Sequence, residues 1–342
     1  MLKSRKALLI TVGLAILGTA AGLLAYSNIR RIYTAHASPG PDLLSALPPG
    51  APTLVYIDLA AVRASTFYQH RPDKGPIALP DKDYADFVHA TGFDFEKDLD
   101  RVVIASWPAS SAKEKSRSVA VADGRFDRAK IRDYAMRKGK LDHQEGHDVF
   151  LFPTTGAAGW NAVSFLSDRR IAIVEGPRIT PLFDKNGAAA DPTGGPSSDP
   201  ARERAARLDG AAMFAISRVP AVPDNFAPGG MQSTQLATLA RSVQWVTLAA
   251  RPEGDNVRVS LEGECTNATD ARQLQAALEV LRLFGTAALE GSKTRQSMDP
   301  ATYAVLDSML KSADVTASAE RVRILVELTP EVLKLGRPAN VH

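Results

Sequence analysis

The chain has 342 residues, 45% of them hydrophobic and 23% charged, and its formal net charge is only +3. That balance belongs to a folded globular chain long enough for two domains, and its near neutrality argues against a nucleic-acid surface. The lone Cys265 rules out an intramolecular disulfide.

Residues 7–26 contain no charged side chain; Lys3, Arg5 and Lys6 precede them and Arg30 and Arg31 follow. A helix of that length spans a hydrocarbon core of about 30 Å. Two readings compete: a retained single-span anchor, and a cleaved secretory signal with Ala35-His36-Ala37 as the small-x-small site. The apolar run exceeds the length of an ordinary signal, and the site lies beyond two arginines, so the anchor reading leads. The excess of basic residues before the span predicts a cytoplasmic residue 1–6 segment and an ectodomain outside the cytoplasm. The expected location is therefore a membrane crossed once, with the lipid bilayer as a partner of residues 7–26.

Residues 27–50 read as an extended linker, punctuated by Pro39, Pro41, Pro48, Pro49 and Gly50. A first α/β unit is expected over 51–185. Its strands fall at 54–58, 102–107, 119–122, 147–152, 162–166 and 170–174, each an apolar or alternating run. One helix ends at Gly92, a second is capped by Asp127 and runs to 138, and a third opens after Pro177. Residues 186–209 are rich in Gly, Ala, Pro and Ser and read as a mobile loop between units.

A second unit is expected over 210–336, with 337–342 as a tail. Its strands fall at 212–217, 243–250, 257–264 and 322–328, and a short helix at 234–241. A long amphipathic helix begins at Thr269 or Asp270 with Leu274, Leu278, Leu281 and Ala288 inward. Another opens at Asp299-Pro300, and a last short one at Thr329-Pro330-Glu331. Each half thus repeats a βαββαβ order, which predicts an α+β fold of two tandem ferredoxin-like units with mainly antiparallel sheets behind one transmembrane helix.

The chain resembles a loose group of uncharacterised single-anchor bacterial envelope proteins with a duplicated α/β ectodomain. The likeness is carried by LeuLeuSerAlaLeuProProGlyAlaPro at 43–52, AlaThrGlyPheAsp at 90–94, AspGlyArgPheAspArgAlaLysIle at 123–131 and PheLeuSerAspArgArgIleAlaIle at 165–173. These are turn and cap signatures. They imply an envelope location and a repeated fold, and they transfer no catalytic residue.

Chemistry-bearing patterns are sparse. His143 and His147 have the spacing of a zinc-gripping pair on a helix, but Gly146 and the strand that follows predict a hairpin turn at Glu145-Gly146 instead. Asp94, Glu96, Asp98 and Asp100 miss the spacing and sixth-position glycine of an EF-hand loop, so a solvated turn is favoured over calcium. No GxSxG, SxxK or GxxxxGK[ST] string occurs. Cys265 reads as a small apolar residue at a strand end, the three tryptophans as packing, and Asn267-Ala268-Thr269 as a helix cap. The residues thus nominate no catalytic or cofactor-binding group, and His143 and His147 are the only metal candidates. The expectation is a non-enzymatic envelope binding or scaffold protein. The alternatives are a tethered small-molecule or lipid binder with a groove between units, and a metal-dependent hydrolase using residues 142–148.

Overall fold

The computed structural model describes residues 41–70, 82–108, 116–153, 159–183, 199–219, 241–291, 296 and 298–334. The segment at 7–26, the linker before residue 41, most of 186–209, the helix expected at 234–241 up to residue 240 and the tail lie outside them. Among the described residues no helix is long and apolar enough to cross a membrane. The architecture is α+β, and two compact units divide the chain.

The first unit is built on β1 (Thr53–Asp58), β2 (Leu99–Trp107), β3 (Arg117–Gly124), β4 (Lys140–Gln144), β5 (His147–Pro153), β6 (Trp160–Ser167), β7 (Arg170–Glu175) and β8 (Met213–Arg218). They form an antiparallel sheet in the order β8-β1-β2-β3-β7-β6-β5-β4. β1 is buried at every position from Leu54 to Asp58, so both of its faces are covered, as its near-continuous apolar run implies. Tyr56 and Phe214 are register partners on β1 and β8, with ring centroids 5.4 Å apart.

The strand expected at 212–217 pairs with β1 from Thr53↔Ser217 to Ile57↔Met213. β1 and β2 are antiparallel neighbours, whereas a split βαβ unit separates its first two strands by a third. Their connection carries α2 (Leu59–Ala64), α3 (Thr66–Gln69), α4 (Lys82–Thr91) and α5 (Phe95–Asp98), long enough to reverse direction.

Two stretches expected to be irregular carry short helices. In α1 (Pro41–Ser45) Leu43 is fully buried, and Leu47 just beyond it is 3% exposed. Asp199 caps α8 (Pro200–Ala205), accepting the Arg202 N–H at 3.2 Å, and Ala201 and Ala205 are buried. Proline and alanine counts hid these anchors, because two buried side chains suffice to seat one turn of helix.

On one face of the sheet, α6 (Arg128–Lys138) is capped by Asp127 and turns Ile131 and Ala135 inward. An aromatic chain joins it to α4 and the sheet: Phe87 packs edge-on to Tyr134 at 5.2 Å, and Tyr134 stacks on Phe152 at 6.4 Å. A further short helix, α7 (Thr180–Phe183), follows β7.

The second unit contains β9 (Val243–Glu253), β10 (Asn256–Cys265), α9 (Ala268–Glu290), α10 (Pro300–Ser312), β11 (Asp314–Ser318) and β12 (Arg321–Leu328). Its strand order is β11-β12-β10-β9, all antiparallel. One face pairs Val259 with Val326 and Leu261 with Ile324; the other pairs Arg258 with Glu327 and Glu262 with Arg323. Ala271 of α9 packs with Cys265 and Val322 on the apolar face, together with Leu274 and Leu278. Asn267 caps α9 through bonds of 3.0 and 2.9 Å from the Thr269 and Asp270 N–H groups.

Gly139 ends α6 with its N–H on the Ala135 carbonyl at 2.8 Å. A Cβ there would sit on the Leu151 carbonyl oxygen. Gly139→Ala is expected to force α6 and β5 apart and to destabilise the fold by about 1–3 kcal/mol, the usual cost of overpacking. Denaturant midpoints of the two proteins measure it.

Candidate functional site

The densest polar constellation lies at one end of the first unit's sheet, where four apolar strands terminate. Asp58 closes β1, Arg101 stands at the start of β2, Asp123 near the end of β3 and Arg170 opens β7. The register places Asp58 opposite Arg101, Arg101 opposite Asp123 and Asp123 opposite Arg170. Directly opposed residues of an antiparallel pair share a face, so the four form one ladder of alternating sign across four adjacent strands.

Asp123 is the hub. Arg101 Nη2 donates to its Oδ2 at 2.9 Å, and Arg170 grips both oxygens, Nε to Oδ1 at 2.6 Å and Nη2 to Oδ2 at 2.9 Å. That fork is the geometry that makes arginine–carboxylate pairs strong. Asp58 is 4% exposed. It accepts the Ala61 N–H at 3.0 Å in the first turn of α2 and the Tyr56 hydroxyl at 3.4 Å. Burial raises its pKa above the ordinary carboxylate value of 3.8, against the opposing pull of the Ala61 N–H and of Arg101. Burial, together with the Asp58 charge, also raises that of Tyr56.

A second tier sits beside the ladder. The register of β2 slips between Leu99 and Arg101, leaving Asp100 out of step. Asp100 takes Arg63 of α2 at 2.8 Å and Arg169 at 2.9 Å. Arg63 also donates to the Leu99 carbonyl at 2.6 Å. The rest of the acidic run is engaged locally. Asp94 caps α5 through the Glu96 N–H at 3.0 Å, and Asp98 accepts the Asp94 N–H at 3.0 Å and lies 3.5 Å from Arg125. These carboxylates point to caps and guanidiniums, and among the described residues no group of three or more His, Cys, Asp or Glu could hold a metal ion.

The histidine pair is not brought together. Glu145 and Gly146, both with positive φ, make the turn between β4 and β5. His143 stands opposite Asp148 and Gln144 opposite His147, so alternation sends the two rings to opposite faces. His143 Nδ1 meets Asp148 at 2.9 Å, while His147 stacks on Phe183 at 5.2 Å. Gln144 ties the hairpin down, accepting the Ile179 N–H and donating to the Pro177 carbonyl, each at 2.9 Å. Its bond to Asp142, with that from the His143 N–H, holds the Asp142 carboxyl below its usual pKa.

Cys265 is buried, and burial raises its thiol pKa, the opposite of a reactive thiolate. Trp107 lies under Arg117 at 4.1 Å and Trp160 under Lys140 at 4.8 Å. The ladder residues escaped the search for motifs, although a signal was present. Each apolar run, LeuValTyrIle, ValValIleAla, ValAlaValAla and IleAlaIleVal, carries a charge at the same spatial end, with sign alternating from strand to strand.

Carboxylates facing guanidiniums in this register fasten the ends of four adjacent strands. No family model and no curated protein matches the chain. Three solved structures of TP0453 are similar in backbone. Crystal form III covers 86% of this chain and 98% of its own at 11% identity and a TM-score of 0.49. Form IV covers 85% and 94% at 13% identity and 0.46, and form I 86% and 96% at 11% and 0.45. At that level the likeness bears on neither chemistry nor partner.

Asp123→Ala would strand two arginines whose side chains are only 31% and 23% exposed. The expected loss is about 3 kcal/mol, as when one member of a buried pair is removed. Asp168→Ala, which breaks the exposed Arg128–Asp168 pair, should cost under about 1 kcal/mol. Denaturant titration of the two variants separates them.

Asp58 gives a pH signature. Its folded pKa lies above 3.8, so its contribution to stability is fully present below that value and is lost as pH rises through the folded value. In Asp58→Asn that loss disappears while a side-chain oxygen still caps α2. The stability of the natural protein relative to this variant is expected to fall as pH rises from 3.8 and then level off. Denaturant midpoints followed from about pH 3.5 to pH 7 give the curve.

Proposed function

We propose that the protein is a single-span, membrane-anchored component of the bacterial envelope whose extracytoplasmic α+β portion binds a protein partner or supports an assembly, without catalysing a reaction. The observation that carries this reading is the uncharged run at 7–26, with three basic residues before it and two after. Its length matches a bilayer core and its flanks favour a cytoplasmic start. The polar clusters of the described residues fit a role without chemistry, since the ladder and the acidic run engage their groups in pairs that fasten the fold.

Duplication is part of the same proposal, in a form coarser than two ferredoxin-like units. A hairpin, a helix and a hairpin recur: β2-β3, α6 and β6-β7 in the first unit, β9-β10, α9 and β11-β12 in the second. The strand orders support the equivalence, β2-β3-β7-β6 in one and β9-β10-β12-β11 in the other. So do the helix starts, where Asp127 and Asn267 cap with side-chain oxygens and place Ile131 and Ala271 inward four residues later. In that comparison the β4–β5 hairpin is an insertion of the first half.

Orientation is tested with C-terminal reporters on the full chain. An alkaline phosphatase fusion is expected to be active and a green fluorescent protein fusion dark; a bright, phosphatase-negative pair reverses the topology and overturns the reading. The mass of the mature chain adds a second test. An intact N-terminus is expected, and a chain starting after Ala37 would show a cleaved signal.

A further inference from the structure

Helix α9 has more apolar surface than its own unit covers. Ala271, Leu274, Leu278, Leu281 and Leu289 are buried or half-buried. On the opposite side Val280, Leu283 and Phe284 are 50%, 55% and 69% exposed, three of the five large hydrophobic side chains so exposed among the described residues. Ala276 and Ala287 extend the same side, and both are exposed.

The spacing of that side is regular. Thr269, Gln273, Ala276, Val280, Leu283, Ala287 and Glu290 are all exposed and follow one another at intervals of 4, 3, 4, 3, 4 and 3. This is the heptad alternation of a helix–helix seam. From Gln273 to Glu290 it is also palindromic about the midpoint between Leu281 and Arg282. Reversing the helix puts Ala276 opposite Ala287, Val280 opposite Leu283 and Gln273 opposite Glu290. A stripe that reads alike in both directions is self-complementary, as a two-fold interface requires.

We propose that this face of α9 is an interface between two copies of the chain, paired antiparallel about that midpoint. The pattern matches such a partner closely. Small side chains at both ends let the helices approach and the large ones fill the centre, the stretch from Ala276 to Ala287 covering about 16 Å of helix. The ends are complementary in charge, because the antiparallel arrangement brings exposed Arg272 of one copy beside exposed Glu290 of the other. A bilayer surface is a poorer fit. Helices that lie in a membrane interface are rich in Lys and Arg on their polar side, whereas α9 carries Arg272 and Arg282 against Asp270, Glu279 and Glu290, a net charge of −1.

The test uses the full-length chain, purified in detergent. Two forms that each add one exposed cysteine, Val280→Cys and Leu283→Cys, carry different tags and are co-expressed; the natural Cys265 is buried. On mild oxidation the mixed disulfide should exceed either like-with-like product, because the two-fold sets position 280 against position 283. A Val280→Cys chain that links mainly to itself would indicate a parallel register and overturn the proposal.

Leu283→Asp should weaken self-association at least tenfold by sedimentation while leaving the far-ultraviolet circular dichroism of the folded chain unchanged. Arg272→Glu should weaken it as well, and adding Glu290→Arg in the same chain should restore it. Self-association indifferent to these changes comes from elsewhere, for instance from residues 7–26, and rejects this interface. A chain that stays monomeric, or whose stripe is covered only when vesicles or another protein are added, rejects it equally. None of these results depends on which side of a membrane the chain resides.

Discussion

The first unit depends on holding one strand, β1, that is buried on both faces. A strand with no solvated face lacks the alternation that ordinarily fixes pairing register, because sliding it by one residue exchanges one apolar face for another. The charges at its end supply the missing constraint. Asp58 opposes Arg101, Arg101 opposes Asp123 and Asp123 opposes Arg170, so a slip along any of the three pairings moves a carboxylate away from its guanidinium. Buried ion pairs add little net stability over well-packed hydrophobic residues. Their effect here is on which pairing forms, and four strands inherit their register from it.

The same geometry commits the groups of this cluster to one another. A catalytic carboxyl needs a perturbed proton affinity and a place for substrate. Asp58 has the first, through burial, but Ala61 and Tyr56 already hold its oxygens and it is 4% exposed. Asp123 is gripped from two sides. The β4–β5 hairpin fails for the opposite reason. His143 and His147 are accessible, yet strand alternation directs them apart and each has its own neighbour.

Features governed by nearby sequence were legible. Asp127 and Asp299 cap where an acidic residue precedes an amphipathic run, Glu145-Gly146 turns where a glycine follows an alternating stretch, and the strands with four or more apolar residues all form. What escaped is set by partners distant in sequence. β4 and β11 carry few apolar residues and exist because β5 and β12 offer them an edge. α1 and α8 hold through Leu43, Ala201 and Ala205 and through side chains that cross-tie them, such as Arg202 on the Leu47 carbonyl at 2.7 Å. The ladder belongs to this class. Its successive members lie 43, 22 and 47 positions apart, and the charge at the end of each apolar run acquires a meaning only once the strand order is known.

Helix α9 illustrates a subtler limit. Periodicity located its inward stripe at Leu274, Leu278 and Leu281, and a single apolar stripe is what an amphipathic helix on a sheet needs. Val280, Leu283 and Phe284 lie on the other side of the helical wheel, and whether a second element covers them is a matter of packing that periodicity does not report. Ala271 at the start of the helix sits against Cys265 and Val322, and Gly285 lets Leu310 of α10 approach, while the opposite face stays open. α6, its counterpart under the proposed duplication, is eleven residues long and carries Arg132, Arg137 and Lys138 on its exposed side. The length and apolar content added to α9 relative to α6 therefore exceed what seating a helix on a four-stranded sheet demands. That surplus is concentrated on a side the unit leaves uncovered, where Val280, Leu283 and Phe284 contribute nothing to seating the helix on its sheet.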